Sequence, residues 1–326
     1  MVRYKGLFKS KRKSDNPEWG LFSTKGAVGL EVLHDPPNAE LDIIFIHSLT
    51  ANRTRTWTHQ NGTFWPNDLL ANDIPNARIM TFGYELDLLH FTSTSTLSTN
   101  RLHDHAQSLS YALVSQRIDC SARPIIFIAH GLGGLICQQA FILSNCVDGL
   151  WAISSSAIGV VFMGTPHYGS SLSYYGEKLV NCVRRKGDIM HVAALERHLG
   201  PNDLQRVAGE FQGMLRRGDL AVNVFCFYEM EGVNDVGKIV EEEAAVLRGC
   251  ESLGLTGDHC GMARFEGFAD EGYGIVREIV RRWMKEARKD GNGMVVDKSS
   301  VVSGGSSCWE SGLVGELDSW ELFWGK

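Results

Sequence analysis

Apolar residues recur along the chain in two alternating rhythms. Short continuous runs at Asp42–His47, Ala77–Tyr84, Pro124–His130, Ala157–Gly164 and Val222–Glu229 are rich in β-branched and aromatic residues, as strands buried on both faces are. Between them lie helical patterns. Leu102, Ala106, Leu109 and Leu113 follow one another at steps of four, three and four, which lines them up on one helix face. Gly134–Cys146 is apolar nearly all round, and Ile275, Val276, Ile279, Val280 and Trp283 mark a last amphipathic helix. This βαβα order predicts an α/β protein with a doubly wound, mostly parallel sheet, in which ligands bind beyond the C-terminal ends of the strands.

The periodic part ends near Asp290. Residues 291–326 contain seven glycines and seven serines, which predicts a flexible tail; it closes in alternating aromatics and acids, Glu316–Lys326, a candidate contact for a protein partner. Residues 1–20 are expected to form a flexible basic arm, in which Arg3, Lys5, Lys9, Lys11, Arg12 and Lys13 precede the first acid, Asp15. The domain between them, 21–290, carries an insert of about 171–221. Its helical patterns, Val192–Leu199 and Leu204–Leu215, are expected to cap the strand ends, with Leu204, Val207, Phe211 and Leu215 in the packing.

Net charge changes the picture by exclusion: at −6 a general nucleic-acid binder is not expected. No apolar run is long enough to span a bilayer and no signal-peptide pattern opens the chain, so a cytoplasmic protein is expected. Its eight cysteines lack CxxC or zinc spacing and are read as reduced thiols. No metal or cofactor is expected.

The chemistry concentrates at the turn after Pro124–Ile128, Ala129-His130-Gly131-Leu132-Gly133-Gly134. As a dinucleotide-binding G-x-G-x-x-G, its third glycine falls on Ile136, and the turn lies far from the first βα unit. A Walker loop lacks its Lys-Ser/Thr. The alternative is a nucleophile elbow, G-x-S-x-G, with Gly131 standing where the serine belongs. The elbow requires an acid and then a histidine later in the chain. Glu229 ends the run Val222–Glu229, and His259 lies in the loop Gly257-Asp258-His259-Cys260-Gly261, with Asp258 and Glu231 as fallback acids. An oxyanion turn is expected after the first buried strand, at His47-Ser48-Leu49-Thr50.

These residues resemble the lipase/serine-esterase branch of the α/β-hydrolases, related to GPI inositol-deacylases, and especially its fungal members found alone or ahead of NACHT-type domains. The resemblance runs from about Gly26 to Arg282. It is carried by His47-Ser-Leu-Thr with Thr56-Trp57, Trp65-Pro66 with Leu69-Leu70, Ala77–Tyr84, Asn100-Arg101 with His105-Ala106, Pro124–Leu135, Phe162–Ser170, Phe227-Tyr-Glu229 and Asp258-His259. It implies an α/β-hydrolase fold with a helical cap, a serine at 131, an acid at Glu229, a base at His259, and oxyanion amides around Leu49 and Leu132, with His47, Ser48 and His130 lining the site. Gly131 departs from the serine, and Ser48 from the glycine of the family's His-Gly.

Glycine adopts the positive φ of an elbow without strain, so the fold is expected to survive while acyl-enzyme chemistry at 131 is lost. The first reading is therefore a non-hydrolytic pseudoenzyme that binds a lipid, metabolite or protein. The alternatives are an enzyme that uses His259 and Glu229 as a general base on an ester or polyketide-like substrate, as hydrolase, lyase, isomerase or cyclase, and a residual carboxylic ester hydrolase with another nucleophile. Ser48 is the candidate for that role, against an ordinary turn serine. Ser170 and Cys137 are poorer ones, and His167 is expected to hold its turn by hydrogen bonds.

Overall fold

The computed structural model of the protein describes residues 27–48, 52–84, 98–168, 178, 201–233 and 236–291. The basic arm, the C-terminal tail, Leu49, Ser170 and the pattern Val192–Leu199 lie outside the described residues.

Seven strands form one sheet: β1 (Gly29–His34), β2 (Leu41–Ile46), β3 (Ala77–Gly83), β4 (Ile125–His130), β5 (Ala157–Met163), β6 (Asn223–Glu229) and β7 (Glu251–Leu255), in the order β1-β3-β2-β4-β5-β6-β7. Only β1 runs antiparallel, against β3; the other pairs are parallel. The five predicted strands are β2 to β6. The edge strands β1 and β7 have one unpaired side; no β1 residue is buried and only Leu255 is in β7, so their sequences carry no buried-strand pattern.

Alternation along the central strands divides the interior into two layers. Ile44, Ile46, Phe127, Ala129, Val160, Phe162 and Cys226 face one side, where α1 (Ser98–Gln116), α2 (Gly133–Cys146) and α3 (Pro201–Arg217) cover them. Ile43, Phe45, Ile126, Ile128, Val161, Met163 and Phe227 face the other, covered by α4 (Glu271–Gly291) through Tyr273, Val276, Ile279, Val280 and Trp283. Period 2 on the strands meets period 3.6 on the helices, and burying each large side chain contributes about 1.5–3 kcal/mol.

One expectation changes. The pattern 204–215 lies in α3, and α3 packs on the sheet face rather than over the strand ends. Val207, Phe211 and Met214 are buried, with the Phe211 ring 5.7 Å from Phe141 of α2 and 5.9 Å from Phe162 of β5. A stripe of this strength on a βαβ crossover is fully used by the sheet, which is why α3 belongs to the body.

At the N-terminal ends of the strands, the fully buried carboxylate of Asp42 is held by three guanidinium groups. Arg78 donates two bonds of 2.9 Å, Arg123 one of 3.1 Å, and Arg117 a short one. Among the described residues no helix is long and apolar enough to cross a membrane.

Candidate active site

The chain leaves β4 through a tight turn into α2. Gly131 stands at its apex with φ +53°, a conformation that side-chain-bearing residues adopt only at a cost. Its N–H donates to the Met163 carbonyl at 2.9 Å, tying the apex to the end of β5. The next glycines are steric requirements: a Cβ on Gly133 would run into the Ile46 and His47 carbonyls, and one on Gly134 into Thr165. The Leu132 and Gly133 N–H groups have no acceptor among the described residues. They head α2, where the helix dipole favours negative charge.

The turn after β2 meets this apex. His47 donates from Nδ1 to the Ser48 carbonyl at 2.7 Å and accepts at Nε2 from the Tyr84 N–H at 3.2 Å. Tyr84 stacks on the imidazole at 4.2 Å and donates its O–H to the His47 carbonyl at 2.7 Å. Burial lowers the His47 pKa to about 4, so the ring is neutral and serves to fix the Ser48 backbone. Ser48 itself is fully buried, and its Oγ has no hydrogen-bond partner among the described residues. A Cβ added to Gly131 would overlap that hydroxyl; it would stand 3.0 Å from the Ser48 Cβ and 3.2 Å from His259 Nε2. The Ser48 hydroxyl thus occupies the space of the absent side chain.

His259 and Glu229 come together from the last two loops. Glu229 ends β6, is fully buried, and accepts the Val240 N–H at 2.6 Å through Oε1. The same oxygen lies 3.6 Å from His259 Nδ1, so the imidazole presents Nδ1 to the carboxylate and Nε2 to the elbow. Asp258 spends Oδ1 on the Cys260 and Gly261 N–H groups at 3.1 and 2.7 Å, which makes it the brace of the loop. Glu231 lies on the exposed side of the turn.

His130 joins the two halves: its Nε2–H donates to the His259 carbonyl at 2.6 Å, with ring centroids 4.7 Å apart. Burial and the neighbouring His259 hold its pKa well below the ordinary value. His167 is bound at Nδ1 by the Gln138 side chain at 2.7 Å, and burial lowers it to about 3; it stabilises its turn, as the sequence predicts. Cys137 is fully buried, and burial drives its thiol pKa well up.

Gly131, His259, Glu229, His47, Ser48, His130 and Leu132 therefore converge at one end of the sheet. Leu49 lies outside the described residues. Sequence reasoning missed Gly164, with φ +57°, whose missing Cβ leaves 3.0 Å to the His259 ring, and Thr165, whose buried Oγ1 has no partner. Gly164 is the last residue of the predicted run Ala157–Gly164, and that position at a strand end was its signal. The tight contact of Thr165 with Gly134 has no sequence signal.

No protein-family profile matches the chain. It is 24% identical over 167 residues to the human protein SERAC1, a match covering 45% of this chain and 25% of that protein, and 25% identical over 152 residues to SERAC1 of Danio rerio, covering 41% and 23%. The chain spans about a quarter of the length of these curated relatives. Among solved structures it is similar to an esterase of Pyrococcus furiosus with a TM-score of 0.50 and 15% identity, covering 76% of this chain and 83% of the esterase. The chain has the α/β-hydrolase fold.

Proposed function

We propose that the chain is a carboxylic ester hydrolase of the α/β-hydrolase fold that works without a nucleophile at its elbow residue. The observation that carries this reading is the retained acid–base pair: Glu229 Oε1 lies 3.6 Å from His259 Nδ1, and His259 Nε2 faces the space beside Gly131. With Nδ1 facing the carboxylate, Nε2 is the atom placed to take a proton, and the carboxylate stabilises the imidazolium that forms when it does. The unpartnered Leu132 N–H at the head of α2 is the donor for the oxyanion of a tetrahedral intermediate. The esterase likeness supports an ester as the substrate class.

Short-chain p-nitrophenyl esters test this. Turnover by the wild-type chain should fall by about 10²-fold or more in His259→Ala, the usual share of general acid–base catalysis, and the pair Glu229→Gln and His259→Ala should be far from additive. Turnover indifferent to both substitutions would remove the reading.

A second reading, a binding protein without turnover, is favoured by burial: Glu229 and Ser48 are fully enclosed and His259 is 1% exposed. It predicts no ester turnover above background, and saturable binding of a fatty-acid or ester ligand by calorimetry.

A further inference from the structure

The geometry points to Ser48 as the nucleophile of this site, a serine that acts from the oxyanion turn into the space vacated at residue 131. The inference rests on the hydrolase reading above and names the group that reading leaves open.

Three observations meet at one point. The position that a Cβ on Gly131 would occupy lies within contact of the Ser48 Oγ and 3.2 Å from His259 Nε2, so the hydroxyl and the base flank the same small space. Ser48 is fully buried and its Oγ has no hydrogen-bond partner among the described residues. An unsatisfied buried hydroxyl costs about 1–3 kcal/mol, and a catalytic role is one of the reasons native proteins retain such groups. The turn that carries it is rigid: His47 binds the Ser48 carbonyl at 2.7 Å, and Tyr84 clamps His47 by stacking and two hydrogen bonds. A Cβ at 131 would overlap the Ser48 hydroxyl where it stands, and glycine admits it.

The chemistry balances without any further reagent. Ser48 Oγ attacks the ester carbonyl carbon as its proton passes to His259 Nε2, and the carbonyl oxygen takes the negative charge opposite the Leu132 N–H. The bond to the alcohol oxygen breaks, and the leaving alkoxide takes the proton from His259. Water then attacks the Ser48 ester, losing its proton to His259, and collapse releases the carboxylic acid while His259 returns that proton to Ser48 Oγ.

The test is fluorophosphonate labelling of the full chain followed by peptide mapping. A stoichiometric adduct on Ser48 is expected, absent in Ser48→Ala and in Gly131→Ala, whose added methyl displaces the hydroxyl, and slowed at least 100-fold in His259→Ala. No adduct in the wild-type chain, or an adduct on another residue, overturns the inference. So does p-nitrophenyl ester turnover that persists in a folded Ser48→Ala, and in that case the hydrolase reading stands with water as the attacking group. An adduct on Ser48 in a chain with no turnover instead removes the hydrolase reading and keeps the nucleophile. Should Ser48→Ala not fold, Ser48→Cys is read in its place: the phosphonate adduct must disappear and an iodoacetamide adduct on residue 48 must replace it.

Discussion

The two ends of β2 carry buried polar side chains with opposite fates. At the N-terminal end both Asp42 oxygens are engaged, Oδ1 by Arg78 and Arg123 and Oδ2 by Arg78 and Arg117. At the C-terminal end, Ser48 Oγ, Thr165 Oγ1, Glu229 Oε2 and His130 Nδ1 are buried without hydrogen-bond partners among the described residues. Equal burial therefore does not mean equal purpose. A saturated ionic cluster is structural, because removing one member strands the others. A cluster of unsatisfied groups lowers stability, and it is where a substrate can complete the hydrogen bonds that the fold leaves open.

Asp42→Ala should show the largest effect. It leaves Arg78 and Arg117, 5% and 2% exposed, without a counter-charge, at a cost of about 3–5 kcal/mol. Urea denaturation should show the midpoint falling accordingly. A loss under about 1 kcal/mol would mean that the cluster is no more structural than the site at the other end.

The second effect belongs to the C-terminal end alone and appears with pH. Burial depresses His47 to about 4 and His167 to about 3, against about 6.5 in an unfolded chain. The folded state thus binds fewer protons than the unfolded one. Stability is complete above pH 6.5 and is lost as pH falls toward those folded values. Between pH 7 and pH 5 each of these two histidines should contribute a loss of about 2 kcal/mol. Unfolding midpoints measured at those two pH values should converge in His47→Gln by one such share. An unchanged slope would contradict the neutral ring inferred from its two hydrogen bonds.

What was legible in the sequence follows the same division. The five central strands, their helices and the order Gly131, Glu229, His259 could be read because burial on both faces and an elbow turn leave strong local signatures. Edge strands β1 and β7 could not, since exposed positions on one side dilute the pattern. The stripe Val207–Leu215 was readable as a helix but not as to its partner, because apolar periodicity does not say which surface it meets. Ser48 was visible as a departure from a motif; that it fills the space of a side chain 83 positions later is a property of the assembled sheet, in which β2 and β4 are neighbours.

Gly131→Ala is the third substitution in expected size. A side chain at φ +53° costs about 1–2 kcal/mol, and its methyl overlaps the Ser48 hydroxyl. The second part is recoverable: in the double variant with Ser48→Gly, where that hydroxyl is gone, the pair should be cheaper than the sum by at least 0.5 kcal/mol, the coupling expected of side chains in contact. Additivity within experimental error would separate the two positions and weaken the case for a shared space.

Ser48→Ala should have the smallest effect on stability and the most informative sign. For a hydroxyl with partners, replacement by a methyl-bearing residue costs about 0.5–1.5 kcal/mol. Ser48 Oγ has none, so the substitution should be neutral or stabilising by up to about 1 kcal/mol, the relief of an unpaid desolvation. The contrast with Asp42→Ala is then complete between one strand and the turn that follows it: two fully buried polar residues, one indispensable to the fold and one a burden on it. If Ser48→Ala lowers the urea midpoint by the cost of an ordinary hydrogen bond, the hydroxyl has a partner in solution and its place beside His259 is structural. If the midpoint rises while ester turnover falls, the stability given up at this residue is the cost of holding a nucleophile where the elbow lacks one.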